Sequence, residues 1–154
     1  MSGGRTTIGL DVGGTKVAAV LLEQAGGTVL DREQASSGGS ATDLVATLAG
    51  LVDSLRTRAN TARGTVAAVG LGVAGLVDRR GVVRWSPNLP AAVDHPLTDE
   101  LEAAVGLPVT TTNDATAATV AEARFGAGRG CEDVALITLG TGIGAGFVVD
   151  GRLL

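Results

Sequence analysis

Residues 6–22 read Thr6-Thr7-Ile8-Gly9-Leu10-Asp11-Val12-Gly13-Gly14-Thr15-Lys16-Val17-Ala18-Ala19-Val20-Leu21-Leu22. Two short apolar runs, 6–11 and 16–22, flank the sequence Val12-Gly13-Gly14-Thr15. Such runs around a Gly-Gly pair read as a β-hairpin. A third run, 28–32, follows Gly26-Gly27 and turns the hairpin into a three-stranded meander. Downstream, Leu44, Leu48, Leu51, Val52 and Leu55 share one face of a helix that ends near 60–64.

Residues 65–69 form a continuous apolar run of the kind found in a buried parallel strand. The segment 70–96 reads as loop, with a brief strand at 82–83. Leu97, Leu101, Ala104 and Val105 mark a second helix, stopped by Gly106 and Pro108. A strand over 108–111 leads to a helix over 115–125. A strand over 133–139, a glycine-rich turn over 140–146 and a returning strand over 147–149 follow. This order predicts an α/β fold, a mixed sheet with helices on its faces. The strand–glycine turn–strand unit recurs in outline at 137–151. Both turns carry Gly and Thr, so both could face one anion.

Hydrophobic residues at 45% against 18% charged give this 154-residue chain enough apolar side chain for one full domain. Twelve basic and 16 acidic residues give a net charge of −4, against a nucleic-acid partner, which needs a basic face. The single cysteine, Cys131, excludes a disulfide framework and a Cys-rich zinc site within these residues. It reads as a small buried or loop residue, and His95 before Pro96 as a surface turn residue. No apolar run is long enough for a membrane span and no secretory core precedes the hairpin, so a cytoplasmic protein without a membrane partner is expected.

The glycine clusters carry different chemistry. Gly70-Leu71-Gly72-Val73-Ala74-Gly75 matches G-x-G-x-x-G, but that fingerprint holds a dinucleotide only where the turn opens a helix, and no helical period follows. Residues 9–16 miss the P-loop, having Thr15 then Lys16 where the motif needs Lys then Ser or Thr. A tight turn at Gly13, Gly14 and Thr15 would instead expose successive backbone N–H groups to an anion. Asp11 beside it would make sense if magnesium bridged carboxylate and phosphate. The alternative is a type I′ turn beside a solvated carboxylate, with nothing bound. Asn113-Asp114, between strand and helix, reads either as a helix cap or as a substrate-facing pair, Asp114 taking a hydroxyl proton and Asn113 bonding a neighbouring hydroxyl.

Five motifs, in order along almost the whole chain, resemble the ROK family of sugar kinases and repressors, within the actin/hexokinase/Hsp70 superfamily. They are Asp11-Val12-Gly13-Gly14-Thr15-Lys16, Gly72-Val73-Ala74-Gly75-Leu76-Val77-Asp78, Ser86-Pro87-Asn88-Leu89-Pro90, Asn113-Asp114-Ala115 and Leu139-Gly140-Thr141-Gly142-Ile143-Gly144. The glucokinase-like members are the nearest in pattern. The resemblance implies a ribonuclease H-like mixed sheet, with a first lobe over 1–130 and the first hairpin of a truncated second lobe over 131–154. It also implies ATP-dependent phosphorylation of a hexose, glucose foremost, in a protein that is a homo-oligomer when complete.

By the same resemblance, Asp11 contacts Mg2+, directly or through water. Gly13, Gly14, Thr15 and Lys16 surround the transferred phosphate, and Gly140, Thr141 and Gly142 form a second phosphate loop. Gly75, Asn88 and Asn113 line the sugar side, and Asp114 is the base. Three positions depart from the family pattern: Ala74 replaces a usual proline, Ala91-Ala92 a frequent Gly-Trp, and Thr116 a common asparagine. The family's zinc motif is absent from these residues. A repressor reading is disfavoured, because only ten residues precede Asp11, where repressors place a DNA-binding module. A non-catalytic sugar-binding domain is the other alternative.

Overall fold

The computed structural model describes residues 4–61, 64–140 and 142–154. The first hairpin forms as expected: β1 (Arg5–Val12) and β2 (Lys16–Glu23) run antiparallel, with Val12 opposite Val17. Alternation does the rest. Ile8, Leu10 and Val12 of β1 and Val17, Ala19 and Leu21 of β2 turn to the same face and are buried. The third strand, β3 (Val29–Ser36), is longer than the run 28–32, because β2 offers a partner along its whole length, out to Lys16 opposite Ser36.

Helix α1 (Ala41–Thr61) buries the five residues its periodicity singled out. Ser40 fixes its start: the Asp43 N–H donates to Ser40 Oγ at 3.1 Å, and Ser40 Oγ donates to Asp43 Oδ2 at 2.7 Å. The next strand, β4 (Thr65–Val73), lies parallel to β1 and overturns the loop expected from Gly70 onward. Gly70, Leu71, Gly72 and Val73 pair with Gly9, Leu10, Asp11 and Val12. Leu71 and Val73 keep the inward alternation, so a strand continues through glycines that looked like a turn.

A small hairpin follows, β5 (Leu76–Val77) with β6 (Val83–Trp85), where only residues 82–83 had been expected extended. Asp78 displaces Val82 from the strand: its Oδ1 accepts from the Arg80 and Val82 N–H groups at 2.8 and 3.0 Å. After a 3-10 turn at Pro90–Ala92 comes α2 (Leu97–Val105), ended by the left-handed Gly106. β7 (Val109–Asn113) completes a five-stranded sheet of order β3-β2-β1-β4-β7. The side chains of β1, β2, β4, α1 and α2 make one continuous core.

The chain packs as two units, 1–112 and 113–154, dividing ahead of the third helix. The second unit holds α3 (Asp114–Phe125) and a three-stranded sheet of order β10-β9-β8, from β8 (Val134–Leu139), β9 (Ile143–Val149) and β10 (Arg152–Leu153). β9 begins at Ile143, so the expected turn 140–146 is confined to the residues before it. Gly144 and Gly146 are strand residues against α3. A Cβ on Gly144 would lie 2.8 Å from the Ala115 Cβ, and one on Gly146 would collide with the Thr119 hydroxyl. Among the described residues no helix is long and apolar enough to cross a membrane.

Candidate functional site

The hairpin tip between β1 and β2 is closed by the Gly13 N–H, which donates to the Lys16 carbonyl at 3.0 Å. Neither Gly13 nor Gly14 has a left-handed φ, so the type I′ turn is not formed. These glycines serve close approach instead. A Cβ on Gly14 would lie 2.6 Å from the Asn88 carbonyl oxygen, so the tip and the Ser86-Pro87-Asn88 segment touch.

On its other side the tip is tied by Ser37, which is buried. The Ser37 hydroxyl donates to the Gly14 carbonyl at 2.8 Å and its N–H to the Thr15 carbonyl at 3.2 Å. A trans peptide sets N–H opposite C=O, so the Thr15 N–H is turned away from Ser37. Among the described residues, the N–H groups of Gly14 and Thr15 have no backbone acceptor. Two successive N–H groups beside a threonine hydroxyl and the exposed Lys16 make a small cradle for an anion.

Asp11 lies on β1 between Ala18 of β2 and Gly72 of β4, exposed and close to the tip. One carboxylate beside an anion cradle is a donor set that fits Mg2+, which binds through one or two carboxylates plus the oxygens of a phosphate substrate. Among the described residues no group of three metal-ligating side chains occurs.

Gly75 follows β4 with φ 150°, and a Cβ there would collide with the Trp85 carbonyl oxygen. Ser86 fastens this corner: its hydroxyl donates to the Ala74 carbonyl at 2.6 Å and accepts from the Leu89 N–H at 3.1 Å. Gly75, Asn88 and Gly14 are thereby held in neighbouring backbone segments. The G-x-G-x-x-G stretch is followed by β5 and not by a helix, which removes the dinucleotide reading. Below this corner Asp78 also takes Arg84, whose Nε donates to Oδ2 at 2.9 Å. The Val82 N–H above all, with Arg84 and Arg80, holds the Asp78 carboxyl below its usual range.

In the second unit the cap of α3 is Asn113, whose Oδ1 accepts from the Thr116 N–H at 3.0 Å. Asp114 is the first helical residue, half-buried, with Oδ1 accepting from the Ala115 N–H at 2.8 Å. That bond orients its carboxylate. Gly140 donates its N–H to the Gly142 carbonyl at 3.0 Å, a tight loop before β9, and Thr141 lies outside the described residues. Cys131 is exposed, and His95 Nε2 sits 2.9 Å from Glu100 Oε2 at the head of α2.

Sequence reasoning missed Ser37 and Ser86, the two hydroxyls that fix the glycine corners. Ser86 stands within a quoted motif, and its place before Pro87-Asn88 was the available signal. Ser37, in a Ser-Gly-rich loop, gives none, because its partners Gly14 and Thr15 lie 23 and 22 residues away in sequence.

Residues 7–154 match the ROK family. The chain belongs to the ROK family. It is 38% identical over 148 residues to a glucokinase of Streptomyces coelicolor, which spans 96% of this chain and 44% of that enzyme. An N-acetylmannosamine kinase of Salmonella arizonae is 35% identical over 152 residues, 97% of this chain and 49% of that one. The solved ROK glucokinase of Streptomyces griseus, in complex with glucose and AMPPNP, superposes with a TM-score of 0.83 at 40% identity, covering 97% of this chain and 46% of that one. This ROK chain thus has the actin/hexokinase-like α/β fold and spans under half the length of these relatives.

Proposed function

We propose that this chain supplies the sugar-binding and first phosphate-binding parts of a cytoplasmic ROK kinase that moves the γ-phosphoryl group of ATP to the primary hydroxyl of glucose. The observation that carries the reading is the β1–β2 tip: the Gly14 and Thr15 carbonyls are tied by Ser37, and their N–H groups, without a backbone acceptor among the described residues, are placed for an anion, in a chain related to sugar kinases throughout. Gly13, Gly14, Thr15 and Lys16 hold the transferred phosphate, and Gly140, Thr141 and Gly142 a further phosphate. Gly75, Asn88 and Asn113 position the sugar. Asp114, its carboxylate oriented by the Ala115 N–H, accepts the proton as the hydroxyl oxygen bonds phosphorus and ADP leaves. Phosphoryl transfer has a loose transition state, so orienting the hydroxyl and neutralising charge matter more than a strong base. Asp11 would hold Mg2+, which when bound neutralises the phosphate oxygens. The lobes are taken as 1–130 and 131–154, and the complete protein as a homo-oligomer.

The test joins residues 1–154 to the C-terminal remainder of the Streptomyces coelicolor glucokinase and measures ADP formation with glucose, mannose and N-acetylmannosamine. Glucose-dependent turnover is expected. Turnover confined to N-acetylmannosamine would move the substrate, and none with any hexose would leave a sugar-binding domain.

A further inference from the structure

Gly14 and Thr15 at the β1–β2 tip are exposed, while Ser37 behind them is only 3% exposed. Ser37 is itself fixed from two sides. Ser36 before it pairs with Lys16 across β2 and β3. Gly38 after it is left-handed, with φ 76°, and a Cβ there would lie 2.9 Å from the Asp43 Cβ in the first turn of α1. Ser40 then caps α1, and its carbonyl accepts from the N–H of the buried Leu44 at 3.0 Å. A strand and a core helix thus make Ser37 a rigid backing for the tip.

Its two bonds to the tip differ in kind. The one from its N–H to the Thr15 carbonyl belongs to the backbone and survives a change of side chain. The one from its hydroxyl does not, and its acceptor matters: the Gly14 carbonyl and the Thr15 N–H are opposite ends of one planar amide. Gly14 restrains its own backbone little, so an outside partner must hold that plane. A bond accepted by the carbonyl also polarises the amide, strengthening its N–H as a donor by on the order of 10–30%. We propose that Ser37 is a positioning residue for the phosphate: through the Gly14–Thr15 amide, its buried hydroxyl aims and polarises the Thr15 N–H, and so sets the affinity of the tip for a phosphoryl group. This rests on the reading of the tip as an anion cradle.

The experiment follows backbone amide resonances of the 154-residue chain by nuclear magnetic resonance. Inorganic phosphate is added against sodium chloride at constant ionic strength, so that general screening does not change. In the parent chain the Thr15 amide proton is expected to move downfield and to saturate. Ser37→Ala should weaken phosphate binding about fivefold, as loss of one hydrogen bond implies, and shift the phosphate-free Thr15 amide proton upfield. Ser37→Thr, which keeps the hydroxyl, should restore both. Ser37→Cys, of similar size but a weak donor, should fall between alanine and the parent. Ser54→Ala is the control: it removes a hydroxyl that donates to Glu33 Oε2 at 2.8 Å and should leave phosphate affinity unchanged. Phosphate binding in Ser37→Ala as tight as in the parent would overturn the inference and leave the cradle standing. So would a threonine variant no better than alanine, or an equal loss in Ser54→Ala. A Thr15 amide that phosphate does not move in the parent chain would remove the cradle itself, and this inference with it.

Discussion

An added methyl at Gly14 would sit 2.6 Å from the Asn88 carbonyl oxygen and 3.1 Å from the Asn88 Cβ, a conflict with backbone that no rotamer relieves. Gly14→Ala is expected to lower stability by about 1–3 kcal/mol, the range for overpacking. In a chain of this size that is a fall of roughly 2–4 °C in Tm per kcal/mol, readable by calorimetry. Gly75→Ala meets both a left-handed φ of 150° and the Trp85 carbonyl, and should cost at least as much. Gly70→Ala is the control. It has no heavy atom within 4 Å of the added carbon and no left-handed φ, so its effect should stay within about 0.5 kcal/mol. Asp114 poses a chemical question instead. Asn113 already caps α3, so Asp114→Asn should leave Tm almost unchanged while lowering glucose-dependent turnover of the fused protein by about 10²- to 10⁴-fold. Equal turnover in the variant would reduce Asp114 to a helix-start residue.

Elements became legible where their signal was local. The α1 face and the β1–β2 hairpin could be read directly, because periodicity and alternation are properties of adjacent residues. The continuation of β4 through Gly70-Leu71-Gly72-Val73 could not, since it depends on β1 lying alongside. The β5–β6 hairpin was hidden for a related reason: Asp78 organises it through backbone bonds to Arg80 and Val82 and an ion pair to Arg84. Those contacts hold the Asp78 carboxyl below its ordinary value, as Arg58 chiefly does for Asp31 on β3. A folded-state value below the unfolded one means stability that is present above the ordinary carboxylate range and lost as pH falls through the depressed value. Urea midpoints should therefore drop below about pH 4, and Asp78→Asn should make that drop shallower. In the second unit, Gly146→Ala should destabilise by colliding with Thr119, whose hydroxyl donates to the Ala115 carbonyl at 2.7 Å. Adding Thr119→Ala should recover part of the loss, and simple additivity of the two substitutions would disprove the contact.

The whole chain was recognisable from five short motifs because each is a local backbone device: a glycine where another segment passes, a carboxylate at a strand end, an Asn-Asp at a helix start. What stayed illegible, Ser37 behind the first tip, is set by packing between distant residues. The same distinction bears on activity. Local devices can bind an anion or orient a hydroxyl, but phosphoryl transfer needs several donors aimed at once at the developing charge in a site closed to water. The chain spans 44% of the Streptomyces coelicolor glucokinase and 46% of the solved Streptomyces griseus enzyme, so more than half of each relative lies outside the match. A single preorganised donor is worth about 10²–10³ in rate. With several supplied from outside these residues, the 154-residue polypeptide alone should turn over glucose at least about 10³-fold more slowly than its fusion to a glucokinase C-terminal remainder. Inorganic phosphate or AMPPNP should still bind the isolated polypeptide, and more weakly after Gly14→Ala, because the β1–β2 tip is complete within it. Coupled-enzyme detection of ADP separates the cases. Turnover by the isolated chain at about 1–100 per second, the ordinary range for kinases, would mean that the tip, Asp11 and Asp114 suffice without those further residues.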